Sequence, residues 1–135
     1  MRDRGAKGVV LDAGALIAIE RRDRFVLALC LATAEAGGPV IVPAGVVGQV
    51  WRDGSRQVGL SRLLGARDTI IEPLDLEVAK LAGVLCGRAG TSDVLDATVV
   101  ISASRHRASV VTSDGEDIRR LDDTVSIVAC CLVRL

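Results

Sequence analysis

The stretch Gly8-Val-Val-Leu-Asp-Ala-Gly-Ala-Leu-Ile-Ala-Ile-Glu20 decides the fold. A β-branched run rises to one carboxylate, Asp12, and a small-residue turn, Ala13-Gly14-Ala15, opens into an apolar helical pattern. A buried parallel strand that turns back as a helix reads this way. In open α/β sheets ligands bind beyond the carboxyl ends of the strands, which puts Asp12 where chemistry is expected. Asp is equally a preferred helix N-cap, so the same residue has a purely structural use.

The pattern of the opening stretch repeats along the chain. Pro39-Val-Ile-Val-Pro43 reads as a second short strand, Thr69-Ile-Ile-Glu72 as a third, Ala108-Ser-Val-Val-Thr112 as a fourth, and Val125 to Val128 as a fifth. Helical patterns separate them: Phe25 to Glu35 ended by Gly37-Gly38, Ala44 to about Arg52, Ser55 to Leu64, and a helix capped by Asp75 that reaches about Cys86. Gly87-Arg-Ala-Gly90 reads as a loop, Thr91-Ser92-Asp93 starts a helix to His106, and Glu116 to Leu121 forms a short last one. Strands alternating with helices imply right-handed crossovers and a mainly parallel sheet of four or five strands in one α/β domain over residues 1–135.

Composition narrows the function classes. Half of the 135 residues are hydrophobic, yet there is one Phe, one Trp and no Tyr, so the core is built of Val, Leu, Ile and Ala. Two aromatics do not make a base-stacking platform for single-stranded nucleic acid. Lys and Arg total 17 and Asp and Glu total 17, which excludes attraction of the whole molecule to nucleic acid. Only two of the bases, Lys7 and Lys80, are lysines, and arginine pairs bidentately with phosphate. Cys30, Cys86, Cys130 and Cys131 form no CxxC pair and read as reduced thiols, and one histidine, His106, does not support a zinc site. Asp12 interrupts the first apolar run, so no secretory leader is expected, and Phe25 to Ala32 is too short to span a bilayer; a cytoplasmic protein that avoids membranes is expected.

Acids recur where strands end and helices begin. Asp12 follows the first strand and Asp114 the fourth, and neighbouring strands one and four would set them across one crevice. Asp93 and Asp96 lie three apart in a first helical turn, and so do Asp114 and Asp117. Each has an ordinary use as a cap, a turn residue or a partner of the helix dipole. Several carboxylates at close quarters do not all stay ionised without compensation, and a hard divalent cation, Mg²⁺ or Mn²⁺, is the natural compensator for oxygen-only ligands.

At this point the residues resemble those of PIN-domain ribonucleases, specifically VapC toxins of VapBC toxin–antitoxin pairs. The resemblance is carried by Val9-Val-Leu-Asp-Ala-Gly-Ala-Leu-Ile-Ala18, Val42-Pro-Ala-Gly-Val-Val-Gly-Gln-Val-Trp-Arg52, Asp93-Val-Leu-Asp-Ala97 and Val110-Val-Thr-Ser-Asp-Gly-Glu-Asp117, in the family's order and over nearly the whole chain. It implies a single PIN domain of three-layer α/β/α architecture. It also implies a Mg²⁺-dependent (or Mn²⁺-dependent) endoribonuclease that cuts structured RNA such as tRNA or rRNA, leaving a 5′-phosphate and a 3′-hydroxyl. By position, Asp12, Asp96 and Asp114 match the family's metal-site acids, Asp93 and Asp117 its accessory acids, and Thr112 and Ser113 the polar pair before the fourth-strand acid. A VapB-type antitoxin, an RNA substrate and a homodimer are the implied partners. Arg21, Arg22, Arg24, Arg52 and Arg56 are candidate RNA-phosphate contacts, against the simpler reading as surface charge.

One position departs from the pattern. The family places a Glu in the helix after the second strand, counted with the catalytic set, and here the residue is Gln49. Glutamine keeps the shape and one carbonyl oxygen but neither the charge nor the capacity to act as a base. The alternative it opens is a catalytically weakened or silent PIN domain that acts by binding antitoxin or RNA. Two other α/β families with an Asp after the first strand are set aside. A haloacid-dehalogenase-like phosphatase needs a second Asp where Gly14 stands, and a receiver domain needs paired acids at the first strand.

Overall fold

Among the described residues five strands form one all-parallel sheet in the order β3-β2-β1-β4-β5. The computed structural model describes residues 7–131. Strand β1 (Val9–Leu11) is central and wholly buried, flanked by β2 (Val40–Pro43) and β4 (Ser109–Thr112), with β3 (Thr69–Glu72) and β5 (Ile127–Ala129) at the edges. Burial follows position. Residues of β1, β2 and β4 are buried throughout, as continuous Val/Ile/Leu runs require, whereas the edge strand β3 leaves Ile70 and Ile71 exposed.

Among the described residues there are seven helices: α1 (Ala13–Glu20), α2 (Arg24–Glu35), α3 (Ala44–Val50), α4 (Val58–Leu64), α5 (Leu76–Ala89), α6 (Val94–His106) and α7 (Gly115–Leu121). Helix α1 packs against α2, α3 and α4, while α5, α6 and α7 pack on one another, so the sheet carries two helical groups. Helix α1 is apolar on every side because it is buried on nearly every side: Gly14, Ala15, Leu16, Ala18 and Ile19 are all in the core. Helix α6 behaves likewise, burying every residue from Ala97 to Ala103. His106 at its end contacts Glu72 and ties α6 to the edge strand. Among the described residues no helix is long and apolar enough to cross a membrane.

Three boundaries differ from the sequence reading, each for a local reason. The helix expected from Ser55 begins only at Val58. Gln57 is buried and its carbonyl oxygen accepts the backbone N–H groups of Arg52 and Asp53 at 2.8 and 3.1 Å, while its amide donates to Val50 O at 2.9 Å. That side chain supplies the bonds a helical turn would otherwise make, so residues 51–57 close as a loop. Helix α5 runs through Gly87, where a glycine costs only about 1 kcal/mol relative to alanine, and stops at Gly90, whose φ of 71° provides the left-handed cap. The last strand pairs over Ile127–Ala129 with β4 rather than from Val125, leaving Cys130 buried and Cys131 exposed just beyond it.

Candidate functional site

Sheet order places the acids. Strands β1 and β4 are adjacent and parallel, with Leu11 opposite Val111, so their carboxyl ends lie side by side. Asp12 leaves β1 with its backbone N–H still donating to Val111 O at 3.3 Å and caps α1, Oδ1 accepting from Ala15 N at 2.9 Å. The capping reading of this residue therefore holds, and the cap stands just beyond the carboxyl end of the central strand. Asp12 is 7% exposed, a helix cap held inside the protein.

Thr112 joins the two strand ends. Its hydroxyl hydrogen-bonds the Asp12 carboxylate, and its Oγ1 accepts the Asp114 backbone N–H at 2.9 Å. Asp114 in turn caps α7, its Oδ1 accepting from Asp117 N at 3.4 Å. Asp93 caps α6 in the same manner, accepting from Asp96 N at 3.0 Å, and its own N–H donates to Thr91 Oγ1 at 3.2 Å. Three short cap motifs from distant segments thus converge, with Asp93 the cap of α6.

The charges confirm that the acids share one space. Burial pushes the Asp12 carboxyl up from its ordinary value, against hydrogen bonds from Thr112, Ala15 and Gly14, and the charge of Asp114 adds to the rise. Asp96 is pushed up to about 7, first by burial, then by the charge and hydrogen bonding of Asp93 and the charges of Asp12 and Asp117. Asp117 is raised mainly by its hydrogen bond with Asp114, and the Arg120 guanidinium pulls it back. Thr91, Asp93, Asp96, Asp117, Arg120 and Leu121 line a depression of about 160 Å³. Among the described residues no three of the acids already stand together as a ready ligand shell for one metal ion.

A missing Cβ makes the junction possible. A β-carbon on Gly14 would stand 2.2 Å from Ser113 Oγ and 3.0 Å from Ser113 Cβ, so the turn after β4 closes directly onto the start of α1. Gly14→Ala is expected to destabilise the protein by about 1–3 kcal/mol through overpacking. Combining it with Ser113→Gly should return most of that loss, read from urea unfolding midpoints.

Gln49 lies elsewhere. It is exposed on α3 and lines a second depression with Ile17, Glu20, Arg52, Arg56 and Gln57, separate from the one that Asp93, Asp96 and Asp117 line. Of the candidate phosphate contacts, Arg52 is turned to the end of α3, donating to Trp51 O at 2.7 Å and Gly48 O at 3.2 Å, and Arg56 stands 3.8 Å from Asp53 in an exposed pair. Sequence reasoning missed Thr91 and Arg120. Arg120 was findable, since it follows Asp117 by three residues on the same helical face.

No protein-family model and no curated protein matches the chain. Solved structures do. The chain is similar to a chain of FitAB bound to an IR36 DNA fragment, with a TM-score of 0.60 and 19% identity over 90% of this chain and 94% of that one. It is similar to a chain of VapBC2 from Rickettsia felis bound to a DNA fragment from their promoter, with a TM-score of 0.67 and 14% identity over 92% and 99% of the two chains. A third match is FitAcB from Neisseria gonorrhoeae, with a TM-score of 0.56 and 20% identity over 88% and 95%. The three-layer fold that the resemblance to VapC implies is therefore the fold this chain has: the PIN-domain architecture of VapBC-type proteins.

Proposed function

We propose that this chain is a metal-dependent endoribonuclease of the VapC kind, the toxin half of a toxin–antitoxin pair, acting on structured RNA. One observation carries the reading. Asp12, Asp93, Asp96, Asp114 and Asp117 are brought from three segments to the carboxyl end of the sheet, and the half-buried Asp96 is pushed up to about 7 by its burial and then by its neighbours' charges. Purely structural caps gain nothing from being crowded together, whereas a cation site requires it.

The donor set fits a hard divalent cation. All its ligating atoms are oxygens, and Mg²⁺ keeps several waters while using one or two carboxylates directly, so a wide acidic cleft without a closed ligand shell suits it. Asp12, Asp96 and Asp114 would hold the ion, with Asp93 and Asp117 in support. A bound ion supplies a low-pKa water and charge for phosphoryl transfer. The residues themselves orient and hold charge: Thr112 fixes Asp12 and Asp114 in one geometry, and Ser113 seals the strand end against α1. The reaction forms a bond from water oxygen to phosphorus and breaks P–O3′, leaving a 5′-phosphate and a 3′-hydroxyl.

Fold similarity supports the partner assignment as well. The neighbours named VapBC2 and FitAB are complexes bound to DNA, and we infer for this chain a VapB-type antitoxin and a homodimeric state. The test uses purified chain and a panel of cellular RNAs with Mg²⁺ or Mn²⁺. Cleavage that EDTA stops is the expected result, and ends mapped as 5′-phosphates fix the chemistry. Because Gln49 lies outside the acid depression, Gln49→Glu should change the rate by no more than about 1 kcal/mol, roughly fivefold. A silent parent with an active Gln49→Glu form would instead favour the catalytically weakened binding protein. No cleavage by either form would overturn the nuclease.

A further inference from the structure

The acidic depression holds one basic side chain. Arg120 sits in the last turn of α7, three residues after Asp117, and lines the depression with Thr91, Asp93, Asp96, Asp117 and Leu121. Its charge is felt at Asp117, yet among the described residues no carboxylate approaches its guanidinium to salt-bridge distance. A guanidinium that shares a depression with three acids and closes on none of them keeps its five N–H donors available. Its neighbour Arg119 is equally exposed, but its Nη1 stands 3.5 Å from the place of a β-carbon on Gly115 and it does not line the depression.

An RNA phosphate entering this cleft meets like charge from Asp93, Asp96 and Asp117. Cation binding at Asp12, Asp96 and Asp114 would offset part of that repulsion, and the remainder calls for a fixed positive group in the same cleft. A planar fork of N–H donors matches two phosphate oxygens, which a lysine ammonium does not. We propose that Arg120 binds the scissile phosphodiester and is a catalytic residue of this site. It would donate to the non-bridging oxygens where charge builds as the water oxygen bonds to phosphorus and P–O3′ breaks. The water gives up one proton, the departing 3′-oxygen takes one, and Arg120 keeps all of its own. This inference rests on the nuclease reading and adds to it the residue that grips the reacting phosphate.

The experiment compares the parent with Arg120→Gln, Arg120→Lys and, as a control outside the depression, Arg119→Gln. Michaelis parameters are taken on an RNA that the parent cuts, and Mn²⁺ affinity is measured separately by electron paramagnetic resonance. Arg120→Gln should lower kcat about 100-fold, the loss typical of one preorganised donor to a developing oxyanion. Arg120→Lys should recover part of it, Arg119→Gln should match the parent, and Mn²⁺ affinity should not fall in any of them. If Arg120 is only a counter-ion to the acids, Arg120→Gln will bind Mn²⁺ more tightly and cut at the parental rate or faster, which overturns the proposal and leaves the nuclease standing. A parent that neither binds Mn²⁺ nor cuts RNA overturns both.

Discussion

Asp96→Asn is expected to lower RNA cleavage about 100-fold or more and, in the same protein, to raise thermal stability at pH 8. The first effect follows from the proposed role of Asp96, whose carboxylate would hold the cation. The second follows from the direction of its titration. The Asp96 carboxyl is raised in the folded protein to about 7 from 3.8, by burial first and then by Asp93, Asp12 and Asp117. The folded state therefore holds this proton more tightly than the unfolded chain does. Stability from this group is complete below about pH 4 and is lost as pH rises through about 7, because the native state must then ionise a half-buried carboxyl among like charges. Asn carries no such charge, so the variant should melt higher at pH 8, by about 2–5 °C, and nearer the parent at pH 4.5. Differential scanning fluorimetry across pH checks this. Added Mg²⁺ should raise the melting temperature of the parent at pH 8 and raise that of Asp96→Asn less. A variant that melts lower than the parent at pH 8 would mean that Asp96 holds the fold together rather than straining it.

Leu16→Ala is expected to be the most damaging single change to stability. Leu16 has no exposure and lies in α1, the helix buried against β1 and β4 and packed on α2, α3 and α4. Removing its side chain loses the transfer term and leaves a cavity that a close-packed interior fills only in part, a cost of about 3–5 kcal/mol. That is a large share of the stability of a domain this size. The measurement is a urea unfolding curve at pH 6, with the midpoint falling and the slope unchanged. A loss below about 1 kcal/mol would show that α1 repacks and is not the rigid mount of Asp12.

Leu16 follows the opening strand within one helical turn, whereas Asp96 comes from a distant segment, and the contrast shows what is local and what is not. Leu16 was legible as core, because an apolar helix following a β-branched strand has nowhere to go but the interior. Asp12, Asp93 and Asp114 were legible as helix starts for the same kind of reason, and each is a cap in the structure. The loop at residues 51–57 was not legible, since a helix and a loop there differ only by which groups the Gln57 amide meets once buried. Arg120 escaped notice because its importance lies in what faces it from α6, a neighbour absent from its own stretch of chain.

The alternation of β-branched runs with helices, and an acid at the end of β1 and of β4, were determined by the amino-acid sequence alone, because strand period, helix caps and turns depend on residues within a few positions of one another. Tertiary structure decided the order β3-β2-β1-β4-β5, and with it which acids share a cleft. It also decided that Asp96 titrates near 7, that Arg120 enters the cleft, and that Gln49 lies outside it. Burial and charge coupling are set by distances between segments far apart in the chain, and those distances exist only after the crossovers have packed.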